Sequence, residues 1–202
     1  FKITLLADKT AFGDLLPFSY RYELSAVIYK ILSNSDQSYS QWLHDNGFRK
    51  DGRKFKLFTF SRLKIEQLKT RGAYLQLISD KAEWEICFLP ERSTREFIQG
   101  LFKDQSFELG NREAKIRFTV QNIELIPTPV INECMQFECL SPICLNFKRN
   151  DGGYNYIDPE NGAATELVKQ NLLDKYQSFT GQTFSPTEFP FELKVLSKPK
   201  ST

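Results

Sequence analysis

The chain has 202 residues, of which 41% are hydrophobic and 26% charged, enough apolar content for one large core or two small ones and too much for a disordered segment. Its 27 Lys and Arg against 25 Asp and Glu give a formal charge of only +2, so the chain as a whole is no polycation. No apolar stretch is long enough to cross a membrane and no signal sequence is present, which leads to the expectation of a soluble cytoplasmic protein.

Lys2-Ile3-Thr4-Leu5-Leu6-Ala7 opens the chain as an apolar run of strand length. Pro17 suits entry into a helix from about Ser19 to Ser33, in which Leu24, Val27, Ile28, Ile31 and Leu32 recur at helical spacing as one apolar stripe. Tyr29 lies off that stripe, on the side of Tyr22, so its hydroxyl is left to face a cleft. After a polar break at Asn34 to Asp36, a short helix ends in Trp42-Leu43-His44 and is closed by Asn46-Gly47. The next loop carries Arg49, Lys50, Arg53 and Lys54, and Lys56 opens Leu57-Phe58-Thr59-Phe60, which reads as a buried strand.

Ser61 to Thr70 is polar and ambiguous, whereas Ala73 to Ser79 and Trp84 to Leu89 read as two strands of a hairpin turning through Ser79 to Ala82. Pro90 starts a helix with Phe97, Ile98, Leu101 and Phe102 as its stripe, and Ala114 to Ile126 is a strand with Ile116, Phe118 and Val120 on one face. Strand, helix, strand, strand, helix, strand is the split βαβ or ferredoxin-like order, an α+β fold with an antiparallel sheet. Pro127-Thr128-Pro129 then marks a joint, which divides the chain into domains 1–126 and 130–202. The second domain is expected to hold extended pieces over Met135 to Leu140 and on through Phe147, a turn at Asn150 to Gly153, a helix over Pro159 to Phe179 and a strand over Phe189 to Leu196. A unit matching the first would still need a strand, a helix and a strand, so the second ferredoxin-like domain reads as incomplete.

The densest positive charge adjoins the only histidine. Between His44 and Arg71 nine Lys and Arg meet three acids, a local +6, which leaves −4 for the rest of the chain. One basic sector on a neutral protein points to an anionic partner, with nucleic acid the leading candidate and a solvated Lys-rich loop the plain alternative. Cys87, Cys134, Cys139 and Cys144 show no CxxC spacing, so a zinc site is not expected and they read as small buried hydrophobes in a reducing compartment. Tyr29, His44 and Lys56, each able to move a proton or stabilise charge, lie on three consecutive elements. Each also has a plainer use: the histidine as a helix-end or surface group, the tyrosine as a contact, the lysine as guard of an edge strand.

Taken together, LSAVIYKIL (24–32), WLHDNG (42–47), KLFTFS (56–61), FECLSPI (137–143), NLLDKY (171–176) and FELKVLSKPK (191–200) resemble, in order and over nearly the whole chain, the CRISPR-associated endoribonucleases of the RAMP superfamily that cut repeat RNA into guide RNAs. The resemblance implies tandem ferredoxin-like domains and a metal-independent, cofactor-free cut of CRISPR precursor RNA within its repeats, by attack of the 2′-OH on the neighbouring phosphodiester. The products would be a 2′,3′-cyclic phosphate and a 5′-OH. It places the catalytic tyrosine at Tyr29, the histidine at His44 as general acid and the lysine at Lys56 as the stabiliser of transition-state charge. Tyr29 suits positioning better than proton abstraction, because a phenol with a reference pKa near 10 is about one part in a thousand ionised at pH 7. Arg49, Lys50, Arg53, Lys54, Arg62 and Lys64 would contact phosphate.

The implied partner is CRISPR repeat RNA, with other CRISPR effector subunits and a homodimer as further candidates and no membrane. A non-catalytic RNA-binding RAMP subunit is the alternative reading, and an unrelated protein-interaction domain a more distant one. The chain departs from the family in one respect: Gly152, Gly153, Gly162 and Gly181 are the only glycines after Gly110, and none forms the glycine-rich loop that members carry near the C-terminus.

Overall fold

In the computed structural model the described residues are 1–137, 143–149 and 151–195. Strand β1 (Lys2–Asp8) leads through a helical turn, α1 (Lys9–Phe12), and a short strand, β2 (Leu15–Pro17), to helices α2 (Arg21–Ser35) and α3 (Gln37–Asp45). A hairpin of β3 (Phe48–Lys50) and β4 (Arg53–Phe55) precedes β5 (Phe58–Phe60), β6 (Lys64–Ile65), β7 (Leu68–Arg71), β8 (Tyr74–Leu77) and β9 (Lys81–Phe88). Then come α4 (Glu91–Lys103), β10 (Ser106–Gly110), β11 (Lys115–Glu124), β12 (Asn146–Lys148), β13 (Tyr154–Tyr156), α5 (Ala163–Thr180) and a 3₁₀ turn at Pro186–Glu188. Two units emerge: Phe1–Gly47 with Lys56–Met135, and Phe48–Phe55 with Gln136–Thr202.

In the first unit β1 is central, pairing antiparallel with β11 on one side and β9 on the other, and the main sheet runs β10-β11-β1-β9-β5. Omitting β10, the order of the four strands of the βαββαβ series is 4-1-3-2, the ferredoxin-like arrangement. Alternation sorts the faces: Ala82, Trp84, Ile86 and Phe88 of β9 are buried, while Lys81, Glu85 and Cys87 are exposed. The register of β1 against β11 shifts between Thr4, opposite Asn122, and Leu5, opposite Val120, so Gln121 is an extra residue. Before it Ile116 and Phe118 are buried, and after it Ile123 faces Ile3.

The helix stripes supply the rest of the core. Leu24, Val27, Ile28, Ile31 and Leu32 of α2 are buried as the periodicity predicts, and Phe97 of α4 reaches the rings of Trp84 and Phe88 at 6.1 and 5.0 Å. Helices α2 and α4 approach so closely at Gly100 that a Cβ there would collide with the carbonyl of Ile31. Phe102, expected in the stripe, is instead 68% exposed, because it falls past the edge of the face that Phe97 and Leu101 bury.

Other expectations are corrected. Strands β8 and β9 do not form a hairpin: β8 pairs with β2 and β7, and β9 enters the main sheet. The true hairpin is β7 with β8, joined through Gly72 at φ 59°, and β7 escaped notice because all four of its residues are exposed and carry no apolar alternation. The segment Phe58–Phe60 is an edge strand only half covered, rather than buried. Cys87, Cys134 and Cys144 are exposed thiols, not buried hydrophobes, and Cys139 lies outside the described residues.

In the second unit β12 pairs with β13, and α5 ends on Gly181 at φ 73°. The β3-β4 hairpin, expected in the first domain, belongs here because Phe48 meets the ring of Phe179 at 5.6 Å and Arg53 donates to Asp174 at 3.0 Å. Residues 135–137 and 189–195 form no strand, and the expected strands there otherwise fall on 138–140 and 196, outside the described residues. Among the described residues no helix is long and apolar enough to cross a membrane.

The helix crossing makes the first prediction. Gly100→Ala should cost about 1–3 kcal/mol of stability by wedging α2 from α4, read as a lowered urea midpoint. An unchanged midpoint would show that the two helices are free to part.

Candidate active site

Three local devices set helix α3 in place. At its start Asp36 caps the first turn, accepting from the Tyr39 amide at 2.9 Å, the Ser38 hydroxyl at 2.7 Å and the Arg92 guanidinium at 2.9 Å. Those donors, the Tyr39 amide foremost, hold its carboxyl down at about 2. In the middle the Ser40 hydroxyl donates to the carbonyl of Tyr29 at 2.8 Å, which ties α3 to α2 at the residue of interest. At its end Lys56 Nζ donates to the carbonyl of Leu43 at 2.5 Å and to that of His44, two of the oxygens that a helix terminus leaves without backbone partners.

The three residues picked from the sequence therefore come together within the first unit. The rings of Tyr29 and His44 meet edge to face, centroids 5.0 Å apart and planes at 83°. On its other side Tyr29 meets Phe58 of β5 at 5.8 Å. The His44 side chain stays 66% exposed, and its Nδ1 lies 2.8 Å from Asp45 Oδ1. With Nδ1 donating to that carboxylate, Nε2 is the nitrogen left to face a substrate. Asp45 was missed in the sequence; the only signal for it was its place beside the only histidine.

Tyr29 is half-buried, and burial pushes its phenol up to about 12. A hollow of about 400 Å³ on α2 is walled by Tyr22, Lys30, Glu108 and Asn111 among others, and Tyr29 is not part of it.

The basic residues sort into different environments. Arg62 and Lys64 are exposed in the first unit, with Lys64 Nζ 3.7 Å from Glu83. On the hairpin of the second unit, Asp51 and Gly52 form a two-residue turn with φ of 48° and 77°. Register puts Arg49 opposite Lys54 on one face, both exposed, and Lys50 opposite Arg53 on the other. On that second face Lys50 pairs with Asp51 at 2.7 Å. Arg53 is held by Asp174, a buried carboxylate whose other oxygen accepts from Gln170 at 2.8 Å. Arg53 thus fastens the hairpin to α5.

Residues 15–124 match the family model described as CRISPR-associated protein Cas6, N-terminal, and residues 126–202 the one described as CRISPR associated protein Cas6, C-terminal. The chain is 28% identical over 190 residues to CRISPR-associated endoribonuclease Cas6 1 of Methanocaldococcus jannaschii, spanning 92% of this chain and 69% of that protein. It is 24% identical over 201 residues to CRISPR-associated endoribonuclease Cas6 of Pyrococcus furiosus, spanning 99% and 71%. A solved structure of a CRISPR associated protein Cas6 superposes with a TM-score of 0.64 at 27% identity, covering 91% of this chain and 72% of that one. An RAMP protein described as binding different RNA substrates shares the fold, with a TM-score of 0.70 at 22% identity over 90% and 72%. The tandem ferredoxin-like architecture is thus that of these proteins.

The raised phenol has a measurable consequence. Because the folded chain holds this proton more tightly than the unfolded one, Tyr29 contributes stability below about pH 10 that is lost as pH climbs toward its folded value. At about pH 10, where a solvated phenol is half ionised, wild type and Tyr29→Phe should show the same ultraviolet phenolate signal. A larger wild-type signal at that pH would mean that the hydroxyl sits in open water.

Proposed function

The chain belongs to the Cas6 family, and from that premise we propose that it is an endoribonuclease that cuts CRISPR precursor RNA within its repeats. The observation that carries the reading is the convergence of an exposed imidazole, a phenol and an ammonium at the end of one short helix. The reaction is a transesterification: the 2′-OH attacks the adjacent phosphorus as its proton passes to solvent water, the 5′ oxygen leaves with a proton from an acid, and the products are a 2′,3′-cyclic phosphate and a 5′-OH. It needs an acid at the leaving oxygen and positive charge near the crowded phosphorane, and both can come from side chains without a metal.

His44 is the acid. Asp45 accepts from Nδ1 and fixes the ring's orientation, so that in the imidazolium form it is Nε2 that delivers the proton to the 5′ oxygen. Lys56 brings an ammonium to the same helix end, where it supports the anionic transition state and holds the backbone of His44. Tyr29 is not the base: with its phenol at about 12, only about one molecule in 10⁵ is ionised at pH 7. As a neutral donor beside His44 it orients the 2′-OH.

Arg49 and Lys54, on the outward face of the hairpin, with Arg62 and Lys64, contact phosphate, whereas Arg53 serves the packing of the hairpin. The RNA partner follows from this reading; other effector subunits and a second copy are proposals of lower rank.

Incubating the protein with end-labelled repeat RNA in EDTA tests the proposal. His44→Ala should lower single-turnover cleavage by about 10²-fold or more with RNA affinity little changed. Cleavage that needs added metal would sink the mechanism, and tight binding without any cut would make the chain a silent RNA-binding member. Separately, Arg49→Ala with Lys54→Ala should flatten the salt dependence of binding by about 1.4 in log–log slope for a single strand. An unaltered slope removes that face from the RNA path.

A further inference from the structure

Among the described residues, two non-glycines have positive φ, Asp51 and Leu57. Asp51 sits in the hairpin turn, where the geometry demands it. Leu57, at φ 53°, sits in no turn: it is the single residue between Lys56 and the start of β5. The left-handed region is disfavoured for residues with a Cβ, more so for β-branched ones, and is tolerated best by glycine and then asparagine. A leucine there is held by its surroundings.

Those surroundings are on the page. Ahead of Leu57, Lys56 Nζ grips the carbonyls of Leu43 and His44. Behind it, Phe58 enters β5 in register with Phe88 and sets its ring against Tyr29. The carbonyl of Leu57 itself accepts from the Leu89 amide at 2.9 Å, which pins the kink to the end of β9. In a regular strand residues 56 and 58 would project to the same side of the sheet. A left-handed residue between them breaks that alternation, so that Lys56 can turn to the helix while Phe58 stays in the sheet.

We propose that Leu57 is a positioning residue whose left-handed backbone aims Lys56 at the carbonyl end of α3 and so fixes the imidazole of His44 against Tyr29. Its effect on cleavage rests on the nuclease reading above. Its effect on geometry does not.

The chain has one histidine, so its imidazole gives a single set of resonances by nuclear magnetic resonance. Leu57→Ile keeps size and hydrophobicity but puts a β-branch where the backbone refuses it; Leu57→Gly and Leu57→Asn accept the backbone and discard the side chain. Leu57→Gly and Leu57→Asn should leave the His44 resonances and the cleavage rate as in wild type. Leu57→Ile should move the resonances and slow single-turnover cleavage about 10- to 100-fold with RNA affinity unchanged.

Lys56→Met alone should move the resonances in the same way, and adding Leu57→Ile to it should move them no further. The reverse order, with isoleucine tolerated and glycine not, would assign Leu57 to packing and overturn the proposal, as would additive shifts in the double variant. Should Leu57→Ile fail to fold, a displaced His44 resonance in Leu57→Gly or Leu57→Asn overturns it equally. Wild-type protein that leaves repeat RNA uncut refutes the nuclease reading alone, since the resonance comparison stands without cleavage.

Discussion

A helix stops with carbonyls that have no amide left to accept from, and at the end of α3 two of them are met by the ammonium of Lys56. That contact brings a cation to the negative end of a helix and fixes the backbone that carries His44. It works only because the other end is equally secured, by Asp36 on the Tyr39 amide and by Arg92 of α4 on Asp36. The Ser40 hydroxyl on the Tyr29 carbonyl completes the frame. An exposed imidazole on nine residues of helix would otherwise fray, since helices this short draw little stability from their own hydrogen bonds.

The basic sector is contiguous only in the sequence. Its residues divide between the two units, and on the hairpin they divide again between two faces set by the Asp51-Gly52 turn. One face presents Arg49 and Lys54, while the other packs Phe48 on α5 and closes the Arg53 pair with Asp174. A count of charges along a chain measures attraction for an anion. It does not say which cations are already engaged with carboxylates more than a hundred residues away.

Much of the fold was readable because its signals are local. The α2 stripe, the α3 stop at Asn46-Gly47 and the placing of Tyr29 off the stripe depend on spacings of a few residues, and the structure has them as expected. The β8-β9 hairpin failed because strand pairing is not local: β8 found β2 nearly sixty residues back, and β9 found β1. Cys87 could have been placed, since Trp84, Ile86 and Phe88 already pointed the even positions inward. Phe102 could not have been placed from its helix alone, for the width of the buried stripe is set by how near α2 comes at Gly100. In the site, residue type and order were enough to choose Tyr29, His44 and Lys56. The grip of Lys56 on the helix, the Nδ1 contact of Asp45 and the backbone of Leu57 needed coordinates.

Gln121, the unmatched residue of β11, changes what that strand is allowed to be. Were Gln121 paired like its neighbours, inside and outside would run in one unbroken rhythm, and Asn122 and Glu124 would inherit the inward beat begun by Ile116 and Phe118. The skipped beat hands that place to Ile123 instead, opposite Ile3. The two halves of β11 are thereby composed in opposite phase, and loss of codon 121 would let the strand run through without the skip while Asn122 and Ile123 kept their places opposite Thr4 and Ile3.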